Sequence, residues 1–220
     1  MKRIQMRGPL IPNNNQEAYD YFGMEATSAK KIIDQLPDDG SDVVLEVNSN
    51  GGVVTVGSDI YTALKNYPGH ITAEITGMAA SAASFSIMGA DKVVISPTAQ
   101  IMIHKALVLC ASGNSDELTS MADALEASDK AIVNAYVSKT GLDASEIMAM
   151  MQKETYMSAQ EAVNRGFADE VMTFEVTNSL NAGLLPQAVV DDFYNRHAKR
   201  KSEIDSMRLA IEKDEILSGL

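Results

Sequence analysis

Short apolar runs of strand length alternate with helical patterns along most of this chain, and this alternation constrains the fold more than any other feature. Residues 43–47 form one apolar run, residues 57–66 a helical pattern, and residues 70–75 the next apolar run. Two shorter runs follow near residues 93–95 and 101–103. Alternating strands and helices predict an α/β fold whose functional edge lies at the carboxyl ends of the strands.

A long helix and a separate tail complete the predicted organisation. Asn114 and Glu117 have the spacing of a capping box, and apolar side chains then recur at helical intervals as far as Gly141. Beyond residue 175 acidic and basic side chains are nearly balanced, whereas the preceding part is strongly acidic. We therefore predict one domain over residues 1–175 and a charged, helical appendage over residues 176–220.

The composition excludes several classes of function. The net charge of −12 argues against nucleic-acid binding, because contacts with phosphates depend on Lys and Arg side chains. The longest uncharged stretch, residues 75–90, is too short and too polar to cross a bilayer. A single cysteine cannot form an internal disulfide, and the first residues lack the apolar core of a signal peptide. These features predict a soluble, cytoplasmic protein without a membrane partner.

Ser81 and His104 are the strongest candidates for catalysis. Ser81 lies among small residues over positions 77–84, where a strand could turn into a helix. Serine hydrolases often place the nucleophile at such a turn, although the Gly-x-Ser-x-Gly pattern is absent and tight helix packing alone produces similar sequences. His104 directly follows an apolar run, a position compatible with a general base or with a structural histidine.

The remaining chemically reactive residues give weaker signals. The Gly51-Gly52 turn could offer backbone N–H groups to a substrate, or it could simply be a tight turn between a strand and a helix. His70 and His197 are interpreted as solvated side chains, and Cys110 as a small loop residue. The chain contains neither a nucleotide-binding glycine motif nor His and Cys at metal-binding spacings, so we predict no cofactor and no metal.

Five short blocks occur in a defined order: 48–52 (Asn-Ser-Asn-Gly-Gly), 77–82 (Gly-Met-Ala-Ala-Ser-Ala), 102–104 (Met-Ile-His), 154–159 (Glu-Thr-Tyr-Met-Ser-Ala) and 166–170 (Gly-Phe-Ala-Asp-Glu). In this order they resemble the ClpP peptidase family, over roughly residues 25–175. The chain is most similar to the ClpP-related head maturation (prohead) proteases of tailed phages and prophages, which share the Ala-Ala-Ser-Ala-Ala-Ser turn, the Glu-Thr-aromatic segment and the Gly-Phe-Ala-Asp-Glu ending.

The resemblance implies the roles of individual residues. It places a Ser-His-acid triad on Ser81, His104 and Glu154. It also assigns the oxyanion hole to the backbone N–H groups of Gly52 and Ala82. In such a site the histidine accepts the serine proton and returns it to the leaving amine, while the carboxylate orients the imidazole ring.

The resemblance further implies a ClpP/crotonase-like fold in which a protruding handle helix, here near residues 115–138, joins stacked rings. Members of the family form heptameric rings, often paired, whose active sites face an internal chamber. The chain departs from housekeeping members at two positions, with Asn50 where they carry Pro and Glu154 where they carry Asp.

The leading expectation is therefore a serine endopeptidase that trims scaffold and capsid proteins in the host cytoplasm, within an assembling phage prohead. The first alternative is a general ClpP-type peptidase that works with an ATP-dependent unfoldase, a Clp-type ATPase. A crotonase-like acyl-CoA enzyme or an inactive scaffold would share the fold. The presence of Ser81 together with His104 disfavours both of these last alternatives.

Overall fold

The computed structural model describes residues 1–174 and 187–201. Contacts divide the chain into two units, Met1–Phe174 and Glu175–Leu220. In the second unit residues 187–201 form a helix whose side chains are almost all exposed. The rest of the predicted appendage over 176–220 lies outside the described residues, so the predicted domain organisation stays a prediction.

A mainly parallel sheet forms the centre of the first unit. The strands of the described part are β1 (Lys2–Arg7), β2 (Val43–Ser49), β3 (Ile71–Ala80), β4 (Lys92–Ile95), β5 (Gln100–Ile103), β6 (Thr155–Ser158) and β7 (Glu170–Val171). They lie in the order β1-β2-β3-β4-β7, and all of these pairs are parallel. The predicted mixed α/β class is confirmed.

Strand β3 pairs with two different neighbours along the same edge. Its first half, Thr72 to Ile75, pairs with β4, and its second half, Met78 to Ala80, pairs with β5. Strand β5 in turn pairs with the antiparallel β6. Because β3 and β5 are parallel, their carboxyl ends meet at one edge of the sheet.

Helices cover the sheet and connect its strands. Those of the first unit are α1 (Gln16–Tyr21), α2 (Ala29–Ile33), α3 (Val54–Asn66), α4 (Ala82–Ser86), α5 (Ser115–Thr140), α6 (Ala144–Gln152) and α7 (Ala159–Asn164). Ile71, Ala73 and Ile75 of β3 are fully buried, as are Ile60 of α3 and Ile147 of α6. Among the described residues no helix has the length and apolar character needed to cross a bilayer.

Helix α5 begins and ends as the sequence predicts. The Asn114 side chain accepts hydrogen bonds from the first turn, Glu117 completes the capping box, and Gly141 ends the helix in a left-handed conformation. The first half of α5 is mostly exposed, while Ile132, Val133 and others in its second half are buried. Its role as a handle that joins rings stays a prediction.

The structure differs from the predicted elements in several places. Strands β1 and β6 and helix α1 were not predicted, strand β3 continues to Ala80 instead of ending near Ile75, and α3 begins at Val54 instead of Gly57. The extension of β3 delays the predicted turn until Ser81, so that the serine itself is the first residue after the strand.

Candidate active site

Ser81 and His104 follow the two parallel strands whose carboxyl ends meet. Ala80 at the end of β3 pairs with Met102 of β5, and the backbone N–H of Ser81 donates to the Met102 carbonyl at 2.9 Å. His104 is the first residue after β5. The strand register therefore brings a serine and a histidine, 23 positions apart in sequence, to the same point of the sheet edge.

The Ser81 backbone has a conformation that non-glycine residues rarely adopt. Its φ is 53° and its ψ is −126°, and α4 begins at the next residue. Strained backbone of this kind persists where surrounding contacts enforce it, and it occurs often at active sites. It places Ser81 at a sharp turn where its side chain is partly accessible.

Buried hydrogen bonds hold this turn. The Ser81 carbonyl accepts from Ser84 Oγ at 2.7 Å and from the Ser84 N–H at 3.0 Å, and the Tyr136 hydroxyl lies 2.7 Å from Ser84 Oγ. Burial raises the pKa of Tyr136, so its hydroxyl stays protonated. Because the Ser84 hydroxyl donates its hydrogen to the Ser81 carbonyl, the Tyr136 hydroxyl is the donor to Ser84 Oγ. Tyr136 of α5 thus supports the turn at Ser81 through one intervening serine, Ser84.

His104 is in direct contact with the serine. The distance between its Nε2 atom and Ser81 Oγ is 2.6 Å, and the imidazole is half-buried. This is hydrogen-bond distance, within the range expected of a general base and its nucleophile. The pair can therefore transfer a proton from Ser81 Oγ to His104 Nε2 without further movement.

The glycine turn after β2 packs directly against the serine turn. A Cβ atom on Gly51, whose φ is 86°, would lie 2.5 Å from the Ala80 carbonyl oxygen and 2.7 Å from the Ala82 nitrogen. The backbone of Leu10 holds this turn from the other side, donating to the Gly51 carbonyl at 2.8 Å and accepting from the Val53 N–H at 3.0 Å. Only glycine permits such a close approach of two backbones.

Two backbone N–H groups remain available beside Ser81. The amides of Gly52 and Ala82 find no acceptor among the residues that the structure describes. Both residues line the same cavity as Ser81 and His104, which has a volume of about 610 Å³. Free donors next to a nucleophile are the arrangement that stabilises an oxyanion.

The walls of this cavity are mostly apolar. Apart from Ser81, His104 and the glycine turn, the residues that line it include Leu10, Val53, Val54, Phe85, Met102, Leu107, Leu109 and Ile132. Lys105 contributes the charged side chain of the lining. A cavity of this composition suits a peptide substrate with apolar side chains.

The Glu154 carboxylate is not hydrogen-bonded to His104 in the described part of the chain. Glu154 lies between α6 and β6 with a φ of 51°, and its side chain is exposed. Ile103 pairs with Thr155 across the antiparallel strands, so the register places Glu154 opposite His104 along the backbone. In residues 1–174 and 187–201, however, no carboxylate makes a hydrogen bond or ion pair with the His104 ring. The assignment of Glu154 stays a prediction.

The other residues considered from the sequence lie elsewhere. His70 Nδ1 is 3.7 Å from Asp91 Oδ2, the His197 ring contacts Phe193 at an interplanar angle of 44° in the helix over 187–201, and Cys110 is exposed. Within the described part of the chain, no group of three or more His, Cys, Asp or Glu side chains is placed to hold a metal ion.

Sequence reasoning missed the residues that support the site. Asp129 on α5 is 1% exposed and contacts the segment after His104. Leu10 and Tyr136 contact the glycine turn and the serine turn. Asp129 could have been noticed, since it stands three and four positions before the apolar Ile132 and Val133 and therefore on the buried face of the helix.

The chain is similar to known proteins over most of its first unit. A family model described as Clp protease matches residues 22–175. The ATP-dependent Clp protease proteolytic subunit 1 of Protochlamydia amoebophila (strain UWE25) is 30% identical over 165 residues, which cover 71% of this chain and 80% of that protein. The ATP-dependent Clp protease proteolytic subunit of Anthoceros angustus is 31% identical over 145 residues, covering 65% of this chain and 71% of the relative.

Proposed function

Since the chain belongs to the Clp protease family, we propose that it is a serine endopeptidase in which Ser81 is the nucleophile and His104 the general base. The observation that carries this proposal is the 2.6 Å distance between Ser81 Oγ and His104 Nε2, beside two backbone amides that have no acceptor among residues 1–174 and 187–201. Together these supply a nucleophile, a base and an oxyanion hole, the groups that acyl transfer requires.

The geometry supports the following reaction. Ser81 Oγ attacks the scissile carbonyl carbon while its proton moves to His104 Nε2. The N–H groups of Gly52 and Ala82 donate to the oxyanion of the tetrahedral intermediate. His104 then gives its proton to the leaving amine, and an acyl group remains on Ser81. A water molecule, deprotonated by His104, hydrolyses this ester and restores the serine.

The substrates are polypeptides and the active assembly is a homo-oligomeric ring. Members of the Clp protease family act on polypeptides and form oligomeric rings. A heptameric ring, single or paired, would enclose the active sites in a chamber and restrict them to extended chains. The long α5, whose first half is exposed, is the element that would join two rings.

The biological role that the sequence supports best is phage head maturation. The Ala-Ala-Ser-Ala-Ala-Ser turn, the Glu-Thr-Tyr segment and the Gly-Phe-Ala-Asp-Glu ending are similar to those of prohead proteases. In this role the enzyme cleaves scaffold and capsid proteins inside an assembling prohead in the host cytoplasm.

A general peptidase that works with a Clp-type ATPase is the second candidate. The names of the relatives favour it, because they describe proteolytic subunits of ATP-dependent Clp proteases. An acyl-CoA enzyme or an inactive scaffold would not require the contact between Ser81 and His104.

Incubation of the purified chain with purified scaffold and capsid proteins separates the two candidates. For head maturation we expect fragments of defined length from those proteins without any ATPase, and no fragments with Ser81→Ala. Degradation of a folded substrate to short peptides, only when a Clp ATPase and ATP are added, would favour the general peptidase. Intact scaffold and capsid proteins under every condition would contradict the head maturation role.

A further inference from the structure

One buried carboxylate near the site has no part in the reaction described above. Asp129 belongs to α5 and is 1% exposed, next to the buried side chains of Ile132 and Val133. A carboxylate is costly to bury unless charge-assisted hydrogen bonds compensate for the lost hydration. Asp129 therefore needs hydrogen-bond donors or a cation beside both of its carboxylate oxygens.

Both partners of Asp129 come from the segment that directly follows His104. The Oδ1 atom accepts from the backbone N–H of Ala106 at 2.7 Å, and the Oδ2 atom lies 3.0 Å from Lys105 Nζ. A bond to a backbone N–H fixes the main chain itself, whereas the ion pair to the half-exposed lysine contributes less. The carboxylate thus holds the main chain two residues beyond the catalytic histidine.

His104 lies between two hydrogen bonds that hold the main chain, and the bond from Ala106 to Asp129 is one of them. On the strand side, the Met102 carbonyl accepts from the Ser81 N–H at 2.9 Å. On the other side, residues 104–113 form neither helix nor strand. In the described part of the chain, the hydrogen bond from the Ala106 N–H to Asp129 is the one that joins their backbone to the rest of the first unit. Without Asp129 the main chain after His104 would lose this hydrogen bond, and within the described residues no other backbone hydrogen bond holds it before α5 begins.

From these contacts we infer that Asp129 is a positioning residue, which keeps His104 Nε2 within reach of Ser81 Oγ by fixing the backbone at Ala106. This inference rests on the proposed serine peptidase function. Asp129 itself touches neither the serine nor the imidazole. Its effect is transmitted through Lys105 and Ala106, so its loss should slow the chemical step rather than weaken substrate binding.

The test is the reaction of Ser81 with a fluorophosphonate probe, because this experiment gives both the final extent of labelling and its rate constant. The final extent of labelling counts the folded sites, and the rate constant reports how well His104 activates the serine in each of them. A purely structural role would lower the melting temperature and the extent of labelling but leave the rate constant unchanged. A positioning role lowers the rate constant at full extent of labelling.

We expect Asp129→Ala to lower the rate constant, and kcat for a peptide substrate, by roughly 10- to 100-fold with KM near the wild-type value, as misplacement of a catalytic group by about 1 Å does. Asp129→Asn keeps an acceptor for the Ala106 N–H and should lose less. Lys105→Met keeps the Ala106 contact and should lose least. The matched control is Asp123→Asn, an exposed carboxylate on the same helix, which should react as the wild type does.

The outcomes are distinct. Wild-type rate constants in Asp129→Ala, or in the nearly isosteric Asp129→Leu if the alanine variant does not fold, would overturn the inference while leaving the peptidase function intact, because neither variant offers an acceptor to the Ala106 N–H. No labelling of the wild-type chain would overturn the proposed function and this inference together. A reduced rate constant in Asp123→Asn equal to that in Asp129→Asn would also overturn it, because the effect would then follow from charge alone.

Discussion

At the scale of single residues, Gly51 determines how closely the glycine turn approaches Ser81. Its missing side chain leaves room for the Ala80 carbonyl and the Ala82 amide, which lie within 2.5 and 2.7 Å of where a Cβ atom would be. Ala80 and Ala82, which carry these atoms, directly precede and follow Ser81. A side chain at this position would therefore displace the serine relative to His104.

We predict that Gly51→Ala lowers kcat/KM by roughly 10²-fold, the cost of a displacement of about 1 Å in a catalytic site. Gly23→Ala is the matched control, because Gly23 also has a positive φ, of 65°, but a Cβ atom there would meet nothing within 4 Å. Peptide hydrolysis and the melting temperature should be measured for both variants. Equal losses of activity would show that backbone strain alone, and not contact with the serine turn, is responsible.

The predicted role of Glu154 requires its carboxylate to move toward the His104 ring. The strand register places it opposite His104, yet its carboxylate does not contact the ring. If the carboxylate approaches His104 when substrate binds, Glu154→Gln should lower kcat by about 10³- to 10⁴-fold, because an amide cannot balance the imidazolium charge. Glu154→Asp should retain part of the activity.

The control for this prediction is Glu146→Gln, an exposed glutamate in the first turn of α6. Steady-state measurement of kcat for Glu154→Gln, Glu154→Asp and Glu146→Gln tests whether the Glu154 carboxylate takes part in the reaction. A wild-type kcat in Glu154→Gln would mean that Ser81 and His104 act without this carboxylate.

At the scale of the elements, the capping box of α7 makes stability depend on pH. Hydrogen bonds from the Ser158 hydroxyl and N–H lower the pKa of Glu161. A carboxylate whose pKa is lowered by folding stabilises the protein above the pKa of the unfolded chain, roughly 4.3, and this contribution is lost as the pH falls through the folded value.

We therefore predict that Glu161→Gln destabilises the protein at pH 7 and that its difference from the wild type shrinks below about pH 4. Urea unfolding at both pH values measures this difference. Glu17→Gln, in the first turn of α1, is the control and should change stability little at either pH. A difference between Glu161→Gln and the wild type that stays constant down to pH 3 would contradict the role of the ionised carboxylate.

Elements with local signals could be predicted from the sequence, and elements that depend on distant partners could not. The cap residues Asn114 and Ser158 mark helix starts because their side chains bond the first turn. Strand β1 contains only Ile4 and Met6 as buried apolar residues, and its pairing partner β2 lies about 40 positions further along the chain. The small residues at the end of β3 have low strand propensity, and pairing with β5 overrides it.

The same distinction holds for the site. Ser81 and His104 could be named because the residues around each carry a recognisable pattern. The supporting residues Asp129, Tyr136 and Leu10 carry none, since each acts through a tertiary contact with a turn that is distant in sequence. Burial of a polar residue on an otherwise apolar helix face was the one available signal, at Asp129.

At the scale of the whole molecule, the account requires an assembly. If the chain forms a heptameric ring, light scattering should give a mass of about 166 kDa for one ring or about 332 kDa for two, which are seven and fourteen times 23.7 kDa. Ser81→Ala should give the same mass, because the Ser81 hydroxyl is hydrogen-bonded to His104 of its own chain. A mass of about 24 kDa at micromolar concentration would contradict the ring.

The most direct test of the central claim is covalent labelling of the purified chain by a fluorophosphonate probe, followed by mass spectrometry. The account predicts one phosphonyl group per chain, on Ser81, together with complete loss in Ser81→Ala. In His104→Ala the rate of labelling should fall by orders of magnitude, because the two residues act as one unit. Ser58→Ala, which removes an exposed hydroxyl from α3, should label as the wild type does. Undiminished labelling of Ser81→Ala, or a wild-type chain that does not react at all, would contradict the serine mechanism.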